Sequence, residues 1–305
     1  MPLRGKQVHL IGMDAAAMDY ALQNHATAKF AISGRSYSAM VIRRDYQMDS
    51  LIIEMPDDFF YSFRDCVFED VPVHFEINHW YFRRLHCAIK YMTPYLLQQL
   101  LPNEKSFHRL ASIQGWYKRS KFDLDAEYQS RALKQMLSCK PGAPYLLLGP
   151  FGTGKTHVLA AAVAKLLEDP QSRVLICTHQ NAGADNLYRN LQEHIRGISR
   201  KVLRLIPDAN TLNRLDLLPG YSYKVVHEVN LASISSGRWP VLVTTFLTAL
   251  YLKDKMRKER ATLMFTHIII DEGAQSREPE ALGAVVLATN STCLIVAGDN
   301  QQVLR

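Results

Sequence analysis

The chain has 305 residues, 48% of them hydrophobic and 21% charged, an ordinary balance for a globular protein of about two domains. No run of 18 apolar residues occurs, which excludes an evident membrane-spanning helix, and the first residues lack the apolar core of a signal peptide. The net charge of +7 fits a polyanionic partner, and five widely spaced cysteines without a C-x-x-C pair argue against a disulfide framework or zinc finger and for a reducing, intracellular setting.

The first residues read as short alternating or β-branched runs at Gln7–Ile11, Ala28–Ser33, Tyr37–Arg44, Leu51–Glu54 and Val71–Ile77. Turn signals at Ser33-Gly34-Arg35-Ser36 and Met55-Pro56-Asp57-Asp58 separate some of them. This pattern predicts a small antiparallel sheet or barrel over residues 1–77. A helix follows over His79–Met92, then a second over Tyr95–Leu101 between Pro94 and Pro102, giving a helical stalk and linker over residues 78–121. His74, His79, His86 and Cys87 match no common metal spacing. The basic run Lys118-Arg119-Ser120-Lys121 reads as a solvated linker.

From about residue 122 to 305 helices alternate with apolar strands at Tyr145–Leu148, Val174–Thr178, Val202–Ile206, Val241–Thr245, Thr266–Ile270 and Cys293–Val296. Nearly continuous apolar runs suit strands buried on both faces, and the alternation implies a parallel α/β sheet with right-handed crossovers. The charged run Lys253–Arg260 reads as a solvated helix end or loop.

Three segments carry chemistry. Gly149-Pro150-Phe151-Gly152-Thr153-Gly154-Lys155-Thr156 spells G-x-x-x-x-G-K-T between a strand and a helix, the context a phosphate-binding loop needs. Its amides and the positive helix end hold the anion, Lys155 reaches the β/γ-phosphates and Thr156 ligates Mg²⁺. The second segment, His267-Ile268-Ile269-Ile270-Asp271-Glu272-Gly273-Ala274-Gln275, places two carboxylates at the C-terminal edge of a strand, where ligands sit in parallel sheets. Asp271 suits Mg²⁺, and Glu272 suits orienting and deprotonating a water. The third, Leu294-Ile295-Val296-Ala297-Gly298-Asp299-Asn300-Gln301-Gln302, ends a strand in Gly-Asp-x-x-Gln, with the Gln302 amide placed to sense a γ-phosphate.

In this order the three segments resemble superfamily 1 helicases of the up-frameshift type, and Gly149–Thr156 with Phe151 resembles the helicase-with-zinc-finger branch. The resemblance covers about residues 122–303 and implies the first RecA-like lobe of such a motor, with ATP and Mg²⁺ as cofactors. It implies that Gln129 reads adenine, that Gln275 contacts the nucleotide or links to Gln302, and that Lys155, Glu272 and Gln302 serve hydrolysis. It further implies that Thr178, His179, Asn181, Thr244 and Thr245 contact a nucleic-acid backbone. Capping of strand ends by these small polar residues is the plainer reading of the same positions.

What the resemblance implies overall is the ATP-hydrolysing half of an RNA-directed, 5′-to-3′ helicase acting on single-stranded RNA in the cytoplasm, with the nucleus as the alternative. A related DNA helicase and a non-catalytic nucleic-acid- or protein-binding module are the alternative readings. No match to the motifs of a second RecA-like lobe, normally supplied in cis, occurs in residues 1–305, so the expectation is a partial chain with low activity by itself.

Overall fold

The computed structural model describes residues 7–23, 26–55, 59, 62–63, 66–77, 79–101, 126–150, 152–208, 211 and 222–299. The chain divides into two compact units, Met1–Arg83 and Arg84–Arg305.

The first unit is a five-stranded antiparallel sheet built from β1 (Gln7–Leu10), β2 (Thr27–Ile32), β3 (Arg35–Asp45), β4 (Ser50–Glu54) and β5 (His74–Glu76). The strand order is β1-β4-β3-β2-β5. β2 and β3 form a hairpin in which Ile32 pairs with Arg35 across Ser33-Gly34, both with positive φ, as a tight two-residue connection requires. One face of the sheet is packed by an aromatic cluster. Phe59 stands edge-on to Tyr37 at 4.8 Å and to Phe30 at 5.8 Å, and Phe63 adjoins both Phe59 and Phe68. Met18 and Ala21, on helix α1 (Ala15–Gln23), pack with Leu51 and Ala26. The strand pattern did not foretell this helix, because Ala15-Ala16-Ala17 offers little apolar contrast.

The second unit carries a seven-stranded parallel sheet. Its strands are β6 (Tyr145–Leu148), β7 (Val174–Thr178), β8 (Val202–Ile206), β9 (Ser222–Val225), β10 (Val241–Thr245), β11 (His267–Ile270) and β12 (Cys293–Gly298), in the order β6-β12-β11-β7-β10-β8-β9. Alternation along the strands feeds two cores. Leu175, Cys177, Leu242, Ile268, Ile270 and Leu294 belong to one, and Val174, Ile176, Val243, Ile269, Ile295 and Ala297 to the other. Over β7, β10, β11 and β12 both faces are therefore dry, and this is why their runs are nearly continuously apolar, whereas on edge strand β6 Leu146 and Leu148 stay exposed.

Helices α4 (Ala126–Leu137), α5 (Lys155–Leu166) and α6 (Asn181–His194) contribute Met136, Val158, Leu159, Leu187 and Tyr188 to the second core. Helix α3 (Pro94–Leu100) contributes Leu96 to the first core. It follows helix α2 (His79–Tyr91), and Tyr91 donates to Asp254 at 2.5 Å, with Arg84 also paired to Asp254. The short helices α7 (Ile198–Lys201) and α8 (Leu231–Ser235) lead toward longer α9 (Phe246–Lys258) and α10 (Glu278–Val285). The charged run near residue 255 lies mostly within α9, where Met256 is buried and Lys255 donates to the His227 carbonyl at 2.8 Å. No helix among the described residues is long and apolar enough to cross a membrane.

The contact between α9 and α10 depends on a missing side chain. A Cβ on Gly283 would lie 2.4 Å from the Phe246 carbonyl oxygen, a backbone atom that cannot swing aside. Gly283→Ala is expected to destabilise by about 1–3 kcal/mol, as overpacking does. In a thermal melt the midpoint should fall by several degrees, and an unchanged midpoint would mean that the two helices are free to part.

Candidate functional site

The strand order brings the three segments together. In the ladder Leu148 pairs with Gly298, Val296 with Ile270, Ile270 with Cys177, and Thr178 with Thr245. The C-terminal ends of β6, β12, β11, β7 and β10 thus form one continuous edge, the usual location of a ligand on a parallel sheet.

The glycine loop leaves β6 on this edge. The Gly149 amide donates to the Gly298 carbonyl at 3.2 Å and ties the loop to the exit of β12. Gly154 caps α5 with φ of 80°, in the left-handed region, and a Cβ there would stand 2.8 Å from Gln129 Nε2. Gln129 on α4 donates to the Thr153 carbonyl at 3.1 Å, so the structure places it directly on the loop. Thr153 donates its hydroxyl to the Pro150 carbonyl at 2.8 Å. Lys155 Nζ donates to the carbonyls of Gly149 at 2.6 Å and Pro150 at 3.0 Å, which keeps the ammonium curled over the loop. Gly152 is exposed, and Phe151 lies outside the described residues.

Beside the loop, Asp271 is 3% exposed and accepts from the Thr156 hydroxyl at 3.2 Å and from the Glu272 amide at 3.0 Å. Burial and the neighbouring Glu272 charge push its carboxyl up to about 6, against smaller pulls from these donors and from Lys155. Glu272 takes φ of 56° and ψ of 32°, a left-handed conformation that a non-glycine residue adopts at a cost of about 1–2 kcal/mol. Its side chain reaches the first turn of α6, a carboxylate oxygen lying 3.3 Å from where a Cβ on Gly183 would stand. A divalent cation fits the pair formed by Thr156 and Asp271. The donors are a hydroxyl and a carboxylate oxygen, the hard set that Mg²⁺ takes along with water and phosphate, and a cation would offset the unfavourable burial of the Asp271 charge.

Of the expected nucleic-acid contacts, Thr178 is buried and donates to the Gln180 carbonyl at 2.8 Å. His179 pairs with Glu280 of α10 at 3.1 Å, and that hydrogen bond raises its pKa against the effect of burial. Thr244 is fully buried and donates to the Leu205 carbonyl at 3.1 Å, while Thr245 caps α9 and meets the Thr248 hydroxyl at 2.9 Å. Gln275 is exposed in the 3₁₀ turn Gly273–Gln275, and Gln302 lies outside the described residues.

Asn181 has an unexpected companion. Arg204, in the middle of β8, is fully buried, and its guanidinium donates to Asn181 Oδ1 at 2.8 Å, Asp185 Oδ1 at 3.0 Å and the Leu205 carbonyl at 2.6 Å. The signal for it was a lone arginine inside Val202-Leu203-Arg204-Leu205-Ile206, an apolar strand that would otherwise bury nothing charged.

Residues 125–232 match the family described as AAA domain. The chain is 33% identical over 175 residues to a probable helicase with zinc finger domain of Danio rerio, covering 52% of this chain and 9% of that protein. It is 31% identical over 184 residues to RNA helicase Mov10l1 of Homo sapiens, covering 58% of this chain and 14% of that one. It is 24% identical over 272 residues to probable RNA helicase armi of Drosophila melanogaster, covering 77% and 22%. The chain therefore spans less than a quarter of the length of each relative. The matched half of the chain carries a superfamily 1 helicase-like domain of the up-frameshift type, distantly homologous to these proteins.

Proposed function

We propose that this chain contains the ATP-binding and ATP-hydrolysing first lobe of an RNA-directed helicase that moves 5′ to 3′ and that works with a second RecA-like lobe. The observation that carries the reading is the Thr156–Asp271 contact at 3.2 Å, which joins the phosphate loop to the acidic strand end in one cation-sized site. There Thr156 and Asp271 would hold Mg²⁺, whose contribution is charge neutralisation on the β- and γ-phosphates. Lys155 would exchange its loop carbonyls for phosphate oxygens. Glu272, next to Asp271 at the same strand end, would orient and deprotonate the attacking water. Gln129 would recognise adenine from its place against the loop, and Gln302 and Gln275 would report the γ-phosphate.

Of the expected contacts, the part-exposed His179 and Asn181 stand in this reading at the nucleic-acid side of the same edge, with Thr245 beside them, while Thr178 and Thr244, buried with their hydroxyls bonded to backbone carbonyls, would hold the strand ends beneath. Contacts to sugar and phosphate would make binding tolerant of sequence and weaker in salt, in keeping with the net charge of +7. RNA is favoured over DNA because two relatives bear RNA helicase in their names. A steady-state ATPase assay with single-stranded RNA or DNA of the same sequence tests the proposal. Turnover below about 1 s⁻¹, the low end of the usual enzyme range, is expected from these residues alone, with RNA the better activator. RNA binding unaffected by Lys155→Ala and by ATP would favour a non-catalytic binding module instead.

A further inference from the structure

We propose that His157, Glu193 and His194 form a transition-metal site of the zinc class, separate from the nucleotide pocket, that clamps α5 to α6. His157 stands in the first turn of α5, directly after Thr156, and Glu193 and His194 end α6. Their ligand atoms lie within 4.8 Å of one another. The two imidazoles meet edge to face with centroids 4.8 Å apart. Independently of this spacing, His194 Nε2 is buried without a hydrogen-bond partner. A buried ring nitrogen left that way costs about 1–3 kcal/mol, and a metal bond is one way to satisfy it.

The chemistry selects the metal. Two imidazoles and one carboxylate, with water completing four-coordination, suit Zn²⁺ and its borderline relatives, whereas Mg²⁺ and Ca²⁺ take oxygen sets. Zinc–nitrogen bonds of about 2.0–2.1 Å put tetrahedral ligand atoms about 3.4 Å apart. Closing the cluster from 4.8 Å therefore needs a shift of about an ångström, which His157 and Glu193 can supply because both side chains are exposed. The occupied site would join the helix that carries Lys155 and Thr156 to the helix that begins at Asn181. The inference does not depend on the nucleotide reading.

The test is a titration of the tag-free, metal-stripped chain with Co²⁺, followed by absorbance, and with Zn²⁺, followed by calorimetry. Excess Mg²⁺ is included to fill the Thr156–Asp271 pair. One equivalent of tetrahedral Co²⁺ without a thiolate charge-transfer band is expected, because the five cysteines are the competing ligands. His157→Gln and Glu193→Gln, both at exposed positions, should each weaken Zn²⁺ at least tenfold and remove the thermal stabilisation that Zn²⁺ gives the parent chain. The inference is overturned if the parent chain binds neither ion, if it binds through thiolate, or if the two folded variants bind as the parent does.

Discussion

Asp271→Asn is expected to stabilise the nucleotide-free chain and to abolish its ATP hydrolysis. The carboxyl is buried at the end of β11 beside Glu272, and its folded pKa of about 6 stands above the ordinary 3.8. A carboxyl whose pKa rises on folding favours the folded state while protonated. That contribution is present below the unfolded value and is lost as the pH climbs through about 6. A rise of this size corresponds to about 3 kcal/mol that the ionised group withholds from stability at pH 7. Asparagine keeps the shape and the acceptor for the Glu272 amide without the charge. The variant should therefore melt several degrees higher than the parent at pH 7, and the gap should close below pH 4. Equal midpoints at pH 7 would mean that the carboxylate is solvated in the folded state. The same substitution removes the anionic partner of the cation, so hydrolysis should drop about 100-fold or more. In the parent chain at low Mg²⁺, hydrolysis should decline as the pH falls through about 6, where metal-free Asp271 takes up its proton, and saturating Mg²⁺ should move that decline to lower pH.

The second large effect is expected at Arg204. Its guanidinium is fully buried, and burial lowers its pKa while Asp185 raises it. Truncating one partner of a buried pair leaves the other charge without its counterion, at about 3–5 kcal/mol. Arg204→Leu should lower the thermal midpoint by roughly 6–20 °C for a unit of this size. The double variant Arg204→Leu, Asp185→Leu should lose less than the sum of the single changes, because the carboxylate that the first change strands is gone. Additive losses would show that the two side chains do not depend on one another. Under the proposed function, Arg204→Leu should also weaken RNA binding, since Asn181 is held by the same guanidinium.

The sheet of the second unit was legible because burial on both faces of its central strands leaves nearly continuous apolar runs, and the expected strands at Tyr145–Leu148, Val174–Thr178, Val202–Ile206 and Val241–Thr245 stand where expected, although β6 is an edge strand with one exposed face and β8 carries Arg204. Strand β9 was not legible, since Ser222-Tyr223-Lys224-Val225 is an edge strand with a half-solvated, polar pattern. Helix α1 was hidden by its alanines, and much of α9 by charges that ride on a helix with one buried side. At the candidate site, the motifs pointed to Gln129 beside the glycine loop and to Thr156 beside Asp271, which meet in the structure, but not to how they meet. The left-handed turn at Glu272 and the curl of Lys155 onto its own loop are local conformations that residue types alone do not fix, and the anchoring of Asn181 by Arg204 joins residues 23 apart, which local spacing does not encode. The buried hydroxyl of Thr244 shows the same limit, since its partner Leu205 is 39 residues away on β8, whereas Thr245 caps α9 three residues on, the capping its residue type suggests.

The central claim is that the loop at Gly149–Thr156 and the carboxylate of Asp271 form one magnesium–nucleotide site. The most direct measurement is equilibrium binding of a fluorescent ATP analogue to the chain, with and without Mg²⁺, compared across the parent, Lys155→Ala and Asp271→Asn. Saturable binding that strengthens with Mg²⁺ is expected in the parent. Binding at least tenfold weaker is expected in Lys155→Ala, and a loss of the Mg²⁺ dependence alone in Asp271→Asn. Binding of equal strength in all three proteins, with or without Mg²⁺, would contradict the central claim.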